Sequence, residues 1–330
     1  MARNGASLII ARMEPRLILA PLAGYTDKAF RKIARSYGAE AAVTEMVSAE
    51  GLARESGKTE ALLDRYPGED RLITQIFAPS ADPVKRCLPR LLSHEPDMID
   101  INCGCPVPKV VKTGAGSALM KEPQRIYEIV RAVKDSSTVP VSVKFRLGWD
   151  SSSINYLEFA DKAAEAGAEL LTLHARTRAQ NYSGTADWNA IRTLSEHFKG
   201  SGIRIFASGD VFSAEAARTL MEDYGADGVM FARGAIGNPF IFRETKDLLE
   251  GKEPSLPTAR ERVEAAEEHL ALAVAYYGES VAVKEMRKHL MAYIKGIPGA
   301  NKVKAGLSGA CTLEGVKSLL GTLSGVSDFS

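Results

Sequence analysis

Eight short apolar runs, each about the length of a buried strand, recur along the chain and set the strongest limit on its fold. They begin at positions 17, 41, 72, 98, 141, 170, 203 and 228, so neighbouring runs start 24 to 43 residues apart. Runs that are apolar almost throughout are typical of parallel sheets, because helices cover both faces of such a sheet. Helical patterns lie between the runs, at 27–37, 123–135, 155–166 and 214–224.

Eight strand–helix repeats over about 230 residues predict an α/β fold of the (β/α)₈ TIM-barrel type. The alternative is a doubly wound sheet, which usually has fewer strands, and no Gly-x-Gly-x-x-Gly follows the first run. Beyond a loop at 251–257, only helical patterns remain, at 258–277, 281–295 and 313–324. We therefore predict an N-terminal extension at 1–16, a catalytic barrel at 17–242 and a C-terminal all-helical domain at 243–330.

The charge balance excludes a generally basic nucleic-acid-binding protein. Lys and Arg number 42 against 41 Asp and Glu, so any nucleic-acid site must be a local patch.

The four cysteines, at 87, 103, 105 and 311, are too few and too scattered for a disulfide framework, and their spacing predicts no zinc site. The apolar run at 8–10 is too short for a signal peptide, and no run approaches a membrane span. We expect a cytoplasmic, monomeric protein without metal.

Polar side chains stand at the ends of the predicted strands, where a (β/α)₈ barrel has its active site. Inside a barrel, a lysine or histidine is costly without a partner. One such residue is as well explained by a satisfied core group as by a ligand, but six strands that end alike favour one shared site. The strand-end residues are Glu45, Gln75, Asn102 with Cys105, Lys144 with Arg146, His174 with Arg176, and Ser208-Gly209-Asp210.

Two small-residue loops, Ser208-Gly209-Asp210 and Ala232-Arg233-Gly234, follow the seventh and eighth runs, where such barrels often bind phosphate. Small residues let backbone N–H groups approach an anion, and Arg233 can bind phosphate oxygens in a bidentate way. By themselves the loops are equally two ordinary turns. Together with Lys144 and His174 they favour a phosphorylated cofactor.

The sequence Asn102-Cys103-Gly104-Cys105-Pro106 lies just beyond the fourth run. Cys105 falls on a loop at the predicted catalytic face, whereas Cys103 continues the strand and is predicted to be structural. The glycine-rich stretch 109–120 carries Lys109 and Lys112 and is predicted to be a mobile loop beside an anionic substrate. It lacks the Gly-Lys-Ser/Thr ending of a P-loop.

These segments together resemble the tRNA-dihydrouridine synthases, and most closely their bacterial B-type branch. The resemblance runs in the family's order from Leu17 to about Phe242, and it extends into the helical tail at 283–299. Leu22 replaces a common Met, Cys103 a common Met or Phe, and Ala232 a common Gly. The segments are APLAGYTD (20–27), LITQIF (72–77), DINCGCP (100–106), GAGSALM (114–120), VKFRLGW (143–149), HARTRAQNYSGTADW (174–188), ASGDV (207–211) and FARGAIGNPFIF (231–242).

The resemblance implies bound FMN, NADPH (with NADH as the alternative) as electron donor, and a uridine of the tRNA D-loop as substrate. Cys105 matches the catalytic acid that protonates the uracil ring. A thiol donates a proton only when it is neutral, so its pKa is expected not to be strongly lowered. The positions that match the family's flavin site are Pro21, Leu22, Ala23, Gln75, Asn102, Lys144, His174, Ser208, Gly209, Asp210, Ala232 and Arg233.

Basic residues in two regions are candidates for contacts with tRNA phosphates. Between positions 281 and 310, six basic residues face one acidic residue, Glu285. A basic run is usually only a solvated face, but the resemblance favours contact with phosphates here. The candidates are Lys284, Arg287, Lys288 and Lys295 in the tail, and Lys109, Lys112, Arg176 and Arg178 in the barrel.

Three alternatives stay open at this point. A flavin-dependent reductase of free pyrimidines or another small molecule would share the barrel but would not need the basic tail. A non-catalytic RNA-binding protein would keep the fold but would not need Cys105, Lys144 and His174. An aldolase or isomerase without flavin would use Lys144 as a Schiff base.

Overall fold

Parallel strands close into a barrel in the first two thirds of the chain. The pairing of β2 with β4 closes a ring of eight strands, in the order β2-β1-β9-β8-β7-β6-β5-β4, and the two-residue β3 pairs with β4 alongside this ring. The predicted (β/α)₈ barrel is therefore confirmed. The computed structural model describes residues 15–323, and its strands are β1 (Leu17–Leu19), β2 (Ala41–Val43), β3 (Val47–Ser48), β4 (Leu72–Phe77), β5 (Met98–Cys103), β6 (Val141–Arg146), β7 (Leu170–His174), β8 (Arg204–Ser208) and β9 (Gly228–Phe231).

Helices fill the connections between the strands, as the sequence pattern predicts. Asp27 begins the first helix by accepting a hydrogen bond from the backbone N–H of Phe30 at 2.9 Å. The helices of the barrel are α1 (Lys28–Ser36), α2 (Ala49–Ala53), α3 (Gly57–Glu60), α4 (Ala81–Leu92), α5 (Pro108–Val111), α6 (Pro123–Lys134), α7 (Tyr156–Glu165), α8 (Trp188–His197), α9 (Ala214–Glu222) and α10 (Ile241–Leu249).

Successive side chains of a barrel strand point alternately outward, into a core under the helices, and inward, into the barrel interior. In β5, Ile99, Ile101 and Cys103 pack in the core between the strands and the helices. Met98, on the other face, belongs to a smaller apolar cluster inside the barrel. Asp100 and Asn102 share that inner face, because side chains two residues apart on a strand point the same way. The polar residues of the strand ends therefore converge on the barrel axis.

Four helices follow the barrel: α11 (Ala259–Tyr277), α12 (Glu279–Tyr293), α13 (Ala300–Gly309) and α14 (Leu313–Gly321). Thr258 and Glu261 form a capping box at the start of α11, where each side chain bonds the other's backbone N–H. The sequence pattern missed α13, because this segment has two glycines and no side-chain cap at its start. The predicted end of the last helix, Ser324, lies outside the described residues, as does most of the predicted extension at 1–16.

A shared apolar core joins the helical tail to the barrel. Ala29 of α1 and Phe240 pack with residues of α11 and α12, including Leu270 and Leu290. Phe242, in contrast, belongs to the core of the barrel. The predicted boundary between 242 and 243 thus falls inside α10, and we place it instead in the irregular segment 250–258. Within residues 15–323, no helix is both long enough and apolar enough to cross a bilayer.

A buried ion pair fixes α1 to the segment before β4. Arg31 donates from Nε and Nη2 to the two carboxylate oxygens of Glu69 at 2.8 and 2.9 Å. The two side chains are 2% and 0% exposed. The same Nη2 donates to the carbonyl of Asp64 at 2.7 Å. Because α1 also carries Ala29 into the shared core, this pair supports the junction with the helical tail.

Replacement of Glu69 by Gln should strongly destabilise the protein, because it leaves the Arg31 guanidinium buried without its counter-charge. The expected loss is about 3 to 5 kcal/mol in the free energy of unfolding, measured by urea denaturation. The control is Glu264→Gln, which removes an exposed pair with Arg260 on α11 and should leave stability unchanged within error. Equal and small effects of both substitutions would contradict the assignment.

Candidate active site

A cavity of about 600 Å³ opens at the carboxyl ends of the barrel strands. Residues from every part of the barrel contribute to its wall, including the loops after β1, β5, β7, β8 and β9. Cys105 and every predicted flavin contact line it, namely Pro21, Leu22, Ala23, Gln75, Asn102, Lys144, His174, Ser208, Gly209, Asp210, Ala232 and Arg233.

A chain of hydrogen bonds crosses the floor of this cavity and ends at the cysteine loop. Buried Asp100 accepts hydrogen bonds from Ser142 Oγ and Gln75 Nε2, each at 2.6 Å. Asn102 Nδ2 donates to Gln75 Oε1 at 2.8 Å, and its Oδ1 accepts from the backbone N–H of Cys105 at 3.0 Å. The Asp100 carboxylate at one end accepts and the Cys105 N–H at the other end donates, so these hydrogen bonds fix the orientation of the side-chain amides of Gln75 and Asn102.

The loop that carries Cys105 is held from two further sides. Ser117 donates to the carbonyl of Cys105 from its backbone N–H at 3.1 Å and from its hydroxyl at 2.9 Å. Arg146 Nε donates to the carbonyl of Gly104 at 2.7 Å. The glycine-rich stretch at 109–120, which was predicted to be a mobile loop, instead forms α5 and a 3₁₀ helix at Gly116–Lys121 that braces the cysteine.

The Cys105 thiol has the protonation state that an acid needs. Burial raises its pKa above the ordinary value, although the backbone N–H of Val107 and the charge of Arg146 oppose the shift. The thiol is therefore neutral near neutral pH. Cys103, in contrast, is fully buried in the outer core and does not line the cavity. Both cysteines are free thiols.

Lys144 places an ammonium group in the cavity wall, on a side chain that is half-buried. Burial, aided by repulsion from Arg146, lowers its pKa to about 8, while attraction by Asp100 limits the shift. The Lys144 side chain makes no hydrogen bond or salt bridge with any residue in the described part of the chain. Strand pairing sets Lys144 beside Asn102. Because a buried cation without a partner is costly, this position fits an anionic or electron-rich ligand.

His174 is neutral in this cavity, a state that the sequence alone could not establish. Burial, and then the positive charges of Lys144, Arg146, Arg176 and Arg233, lower its pKa well below the ordinary value. Gly209 passes directly over the imidazole with a φ of +107°, and a Cβ there would lie 2.8 Å from His174 Cδ2. Only glycine allows the loop after β8 to approach this closely.

Arg176, Asp210 and Arg233 build the end of the cavity near β8 and β9. Arg176 is 1% exposed and binds both oxygens of Asp210, at 2.8 and 2.7 Å. Although burial opposes its ionisation, the hydrogen bonds from Arg176 and from the Ala186 backbone lower the pKa of Asp210. Arg233 Nη2 lies 3.5 Å from Asp210. The predicted tRNA contact at Arg176 is therefore replaced by a positioning role, because this side chain is buried.

Two exposed aromatic residues at the mouth, Tyr182 and Phe212, were not singled out as site residues from the sequence. They are 48% and 51% exposed. The Arg233 guanidinium lies 4.6 Å from the Tyr182 ring centre and 5.1 Å from that of Phe212. The segment HARTRAQNYSGTADW contained Tyr182, but nothing in its pattern distinguished it, and Phe212 had no signal beyond its place after β8.

The remaining tRNA candidates fall into exposed and engaged residues. Lys109, Lys112, Lys284 and Lys295 are exposed. Arg287 instead donates from Nη2 to the carbonyl of Ala310 at 2.9 Å, at the end of α13. Lys288 pairs with Glu285 at 2.9 Å and lies 5.0 Å from the ring centre of Tyr25 in the barrel. Arg287 and Lys288 thus stabilise the helical tail and its junction, which leaves Lys284 and Lys295 as its free cations among these four.

The chain is similar in sequence to proteins of a single family. The model of the dihydrouridine synthase (Dus) family matches residues 18–323. The probable tRNA-dihydrouridine synthase of Treponema pallidum (strain Nichols) is 42% identical over 294 residues, which cover 87% of this chain and 86% of that protein. The tRNA-dihydrouridine synthase B of Pseudomonas syringae pv. tomato (strain ATCC BAA-871 / DC3000) is 38% identical over 292 residues, 88% of this chain and 85% of that protein.

A solved structure shares the fold at low sequence identity. The complex of 2-naphthoyl-CoA reductase with 2-naphthoyl-CoA has a TM-score of 0.54 and 12% identity, covering 72% of this chain and 50% of that one. At this identity the likeness shows a common fold and nothing further. Within residues 15–323, no three His, Cys, Asp or Glu side chains group as metal ligands would. The family match, which spans nearly the whole described chain, and the two relatives above show that the chain belongs to the dihydrouridine synthase family of enzymes.

Proposed function

We propose that the protein reduces the C5=C6 bond of specific uridines in the tRNA D-loop to 5,6-dihydrouridine, with bound FMN and with NADPH as electron donor. The observation that carries this proposal is that a neutral Cys105 thiol and a Lys144 ammonium without a bonding partner line the same cavity. The thiol can act as a proton donor, and the ammonium can stabilise an electron-rich ring. Both roles agree with the activity for which the relatives are named, tRNA-dihydrouridine synthesis.

The donor set of the cavity fits a flavin. When bound, FMN supplies the hydride chemistry. Lys144 would hold the edge of the ring system that becomes more negative on reduction, and Gln75 and Asn102 offer amide groups beside it. The loops at 208–210 and 232–234 would hold the phosphate, with Arg233 as its cation.

Cys105 would hold the proton that completes the reaction. Addition of hydride at C6 of uracil leaves negative charge at C5 and O4, and the S–H bond of Cys105 breaks as the new C5–H bond forms. The resulting thiolate regains its proton from solvent. The loop backbone is held by the bond that Cys105 N–H donates to Asn102 and by the bond that the Ser117 hydroxyl donates to the Cys105 carbonyl, which would limit the rearrangement that proton transfer requires.

The uracil must leave the folded tRNA to enter this cavity, so the nucleotide is extruded into the barrel mouth. Affinity would come mainly from phosphates bound by exposed cations on both parts of the chain, namely Lys109, Lys112, Lys284 and Lys295. Because the proposed substrate is tRNA, we expect the enzyme to act in the cytoplasm.

Replacement of Cys105 by Ala should abolish most uridine reduction while flavin content and NADPH oxidation without tRNA persist, because only the protonation of C5 is lost. The expected decrease in the rate of dihydrouridine formation is about 100-fold or more. The measurement uses unmodified tRNA transcript, analysed by mass spectrometry of its nucleosides.

The matched control for this change is Cys103→Ala, which removes the thiol of the outer core two residues away. It should retain far more activity than Cys105→Ala. Reversed behaviour of the two variants would reject Cys105 as the acid. Equal reduction of free uridine and of tRNA by the unaltered enzyme would favour a reductase of free pyrimidines instead.

The affinity of the flavin-free protein for riboflavin should fall as pH rises through about 8, the pKa of Lys144. Below this pH the ammonium is charged and donates to the ring, and above it the charge is lost. Lys144→Met should bind riboflavin more weakly at about pH 7 and show no such dependence up to about pH 9. Riboflavin is used because it has no phosphate to titrate, and fluorescence quenching reports binding. An affinity that rises with pH would contradict this role.

Replacement of Arg233 by Ala should weaken FMN binding and leave riboflavin binding unchanged. A charge-assisted bond to phosphate predicts an increase of about tenfold or more in the Kd for FMN. The comparison of the two flavins serves as the internal control, since they differ only in the phosphate. A parallel loss for both flavins would place Arg233 against the ring rather than the phosphate.

A further inference from the structure

Trp149 carries two cations on a part of the barrel rim that the proposed reaction does not use. Lys121 Nζ lies 3.7 Å from the centre of the indole ring, and the Arg178 guanidinium lies 4.4 Å from it. Lys121 ends the 3₁₀ helix after α5, Trp149 follows β6, and Arg178 follows β7. Three separate loops thus bring these side chains together. We call Lys121, Trp149 and Arg178 the rim platform.

Among residues 15–323, no carboxylate forms a salt bridge with the rim platform. In the described part of the chain, neither Lys121 nor Arg178 makes a salt bridge, and Arg178 Nε is buried without a hydrogen-bond partner. The carboxylates next to the platform in sequence have other partners: Glu122 pairs with Arg125, and Asp150 accepts hydrogen bonds from Ser152 and Ser153. Two like charges on one ring repel each other, and the attraction of the ring for a cation at the protein surface is weak. An external anion would relieve this repulsion.

The backbone holds the platform in place before any ligand arrives. Arg178 donates its backbone N–H to the carbonyl of Gly148 at 3.0 Å, and Ala179 donates to the carbonyl of Trp149 at 2.9 Å. These bonds join the loops after β6 and β7. The half-buried indole then restricts the two long side chains, so that less conformational entropy is lost when an anion binds.

The position of the platform indicates which anion it binds. In the ring of strands, β6 lies four places from β1 in either direction, so the platform stands across the mouth from α1, on which the helical tail packs. None of its three residues lines the cavity. Exposed Lys109 and Lys112 lie on the neighbouring loop after β5. An RNA that covers the mouth and reaches the helical tail would extend over this rim.

We propose that the rim platform binds a phosphate of the tRNA backbone on the side of the mouth opposite the helical tail. This inference rests on the proposed function, because it takes tRNA as the substrate. Lys121 and Arg178 supply the charge, and Trp149 sets the spacing between them. The tRNA is thus held at two sides of the extruded uridine.

The test is the double substitution Lys121→Ala/Arg178→Ala, with tRNA binding measured by filter binding at several salt concentrations. The expected result is a Kd about tenfold higher and a slope of log K against log salt that is smaller by about one to two units. The control, Lys134→Ala/Lys162→Ala, removes two cations of the outer helices α6 and α7 that pair with Glu169 and Glu165. It should leave the slope unchanged.

Trp149→Phe provides a second readout that does not depend on charge removal. The chain has two tryptophans, Trp149 and Trp188, so a fluorescence change on tRNA binding that disappears in Trp149→Phe places the RNA at the platform. Phenylalanine retains a ring for the two cations, which keeps the fold intact. The variant should hold flavin normally.

Three outcomes would overturn the inference. Unaltered tRNA affinity and salt slope in the double variant would remove the platform from the RNA interface. An increase in the KM for NADPH with unchanged tRNA binding would assign the platform to a dinucleotide phosphate instead. Failure of the unaltered protein to bind tRNA would overturn the proposed function, and this inference with it, whereas intact binding with an unresponsive platform would leave the proposed function standing.

Discussion

The hydrogen-bond chain from Asp100 through Gln75 and Asn102 to the backbone of Cys105 is the interaction on which the site depends. It begins on a strand whose outer face packs in the main core, so the rigidity of the barrel reaches the reactive loop. A barrel interior of apolar side chains alone would leave this loop with only the bonds from Ser117 and Arg146. The Asp100 carboxyl is fully buried, and burial raises its pKa, so its two hydrogen bonds are what make its position tolerable.

Positive charge accumulates around this chain, and it explains the ionisation of the neighbouring groups. Burial lowers the pKa of His174 most, and the charges of Lys144, Arg146, Arg176 and Arg233 lower it further, so this imidazole is neutral. Arg146 and Arg176 are held by carbonyls or by a carboxylate, but Lys144 has no such partner. Lys144 is therefore the cation of this group that is available to a ligand. Such preorganised charge costs folding energy in the free protein and is recovered when an anionic or electron-rich group binds.

The sequence predicted the strands and the cavity residues well because both follow from local rules. A buried strand needs an apolar run, and its polar ends point at one axis once the strands are parallel. The sequence did not predict which long basic side chains bind other parts of the protein. Arg176 and Arg287 look like surface cations in the sequence, yet each donates hydrogen bonds to a residue distant in the chain. The start of the helical tail failed for a related reason, since α10 belongs to the barrel only through packing that no local pattern records.

The junction between barrel and tail determines what kind of substrate can reach the cavity. Gly237, in the loop after β9, adopts a φ of +68° and passes so close to α12 that a Cβ would lie 2.5 Å from the backbone of Ala292. Contact of this kind, together with the shared apolar core, fixes the tail against one side of the mouth. A free base would touch only the cavity, so it would gain no binding energy from the exposed lysines of the tail. Under the proposed function, a folded RNA would gain phosphate contacts on this wall as its uridine enters, so the rigid junction would favour the larger substrate.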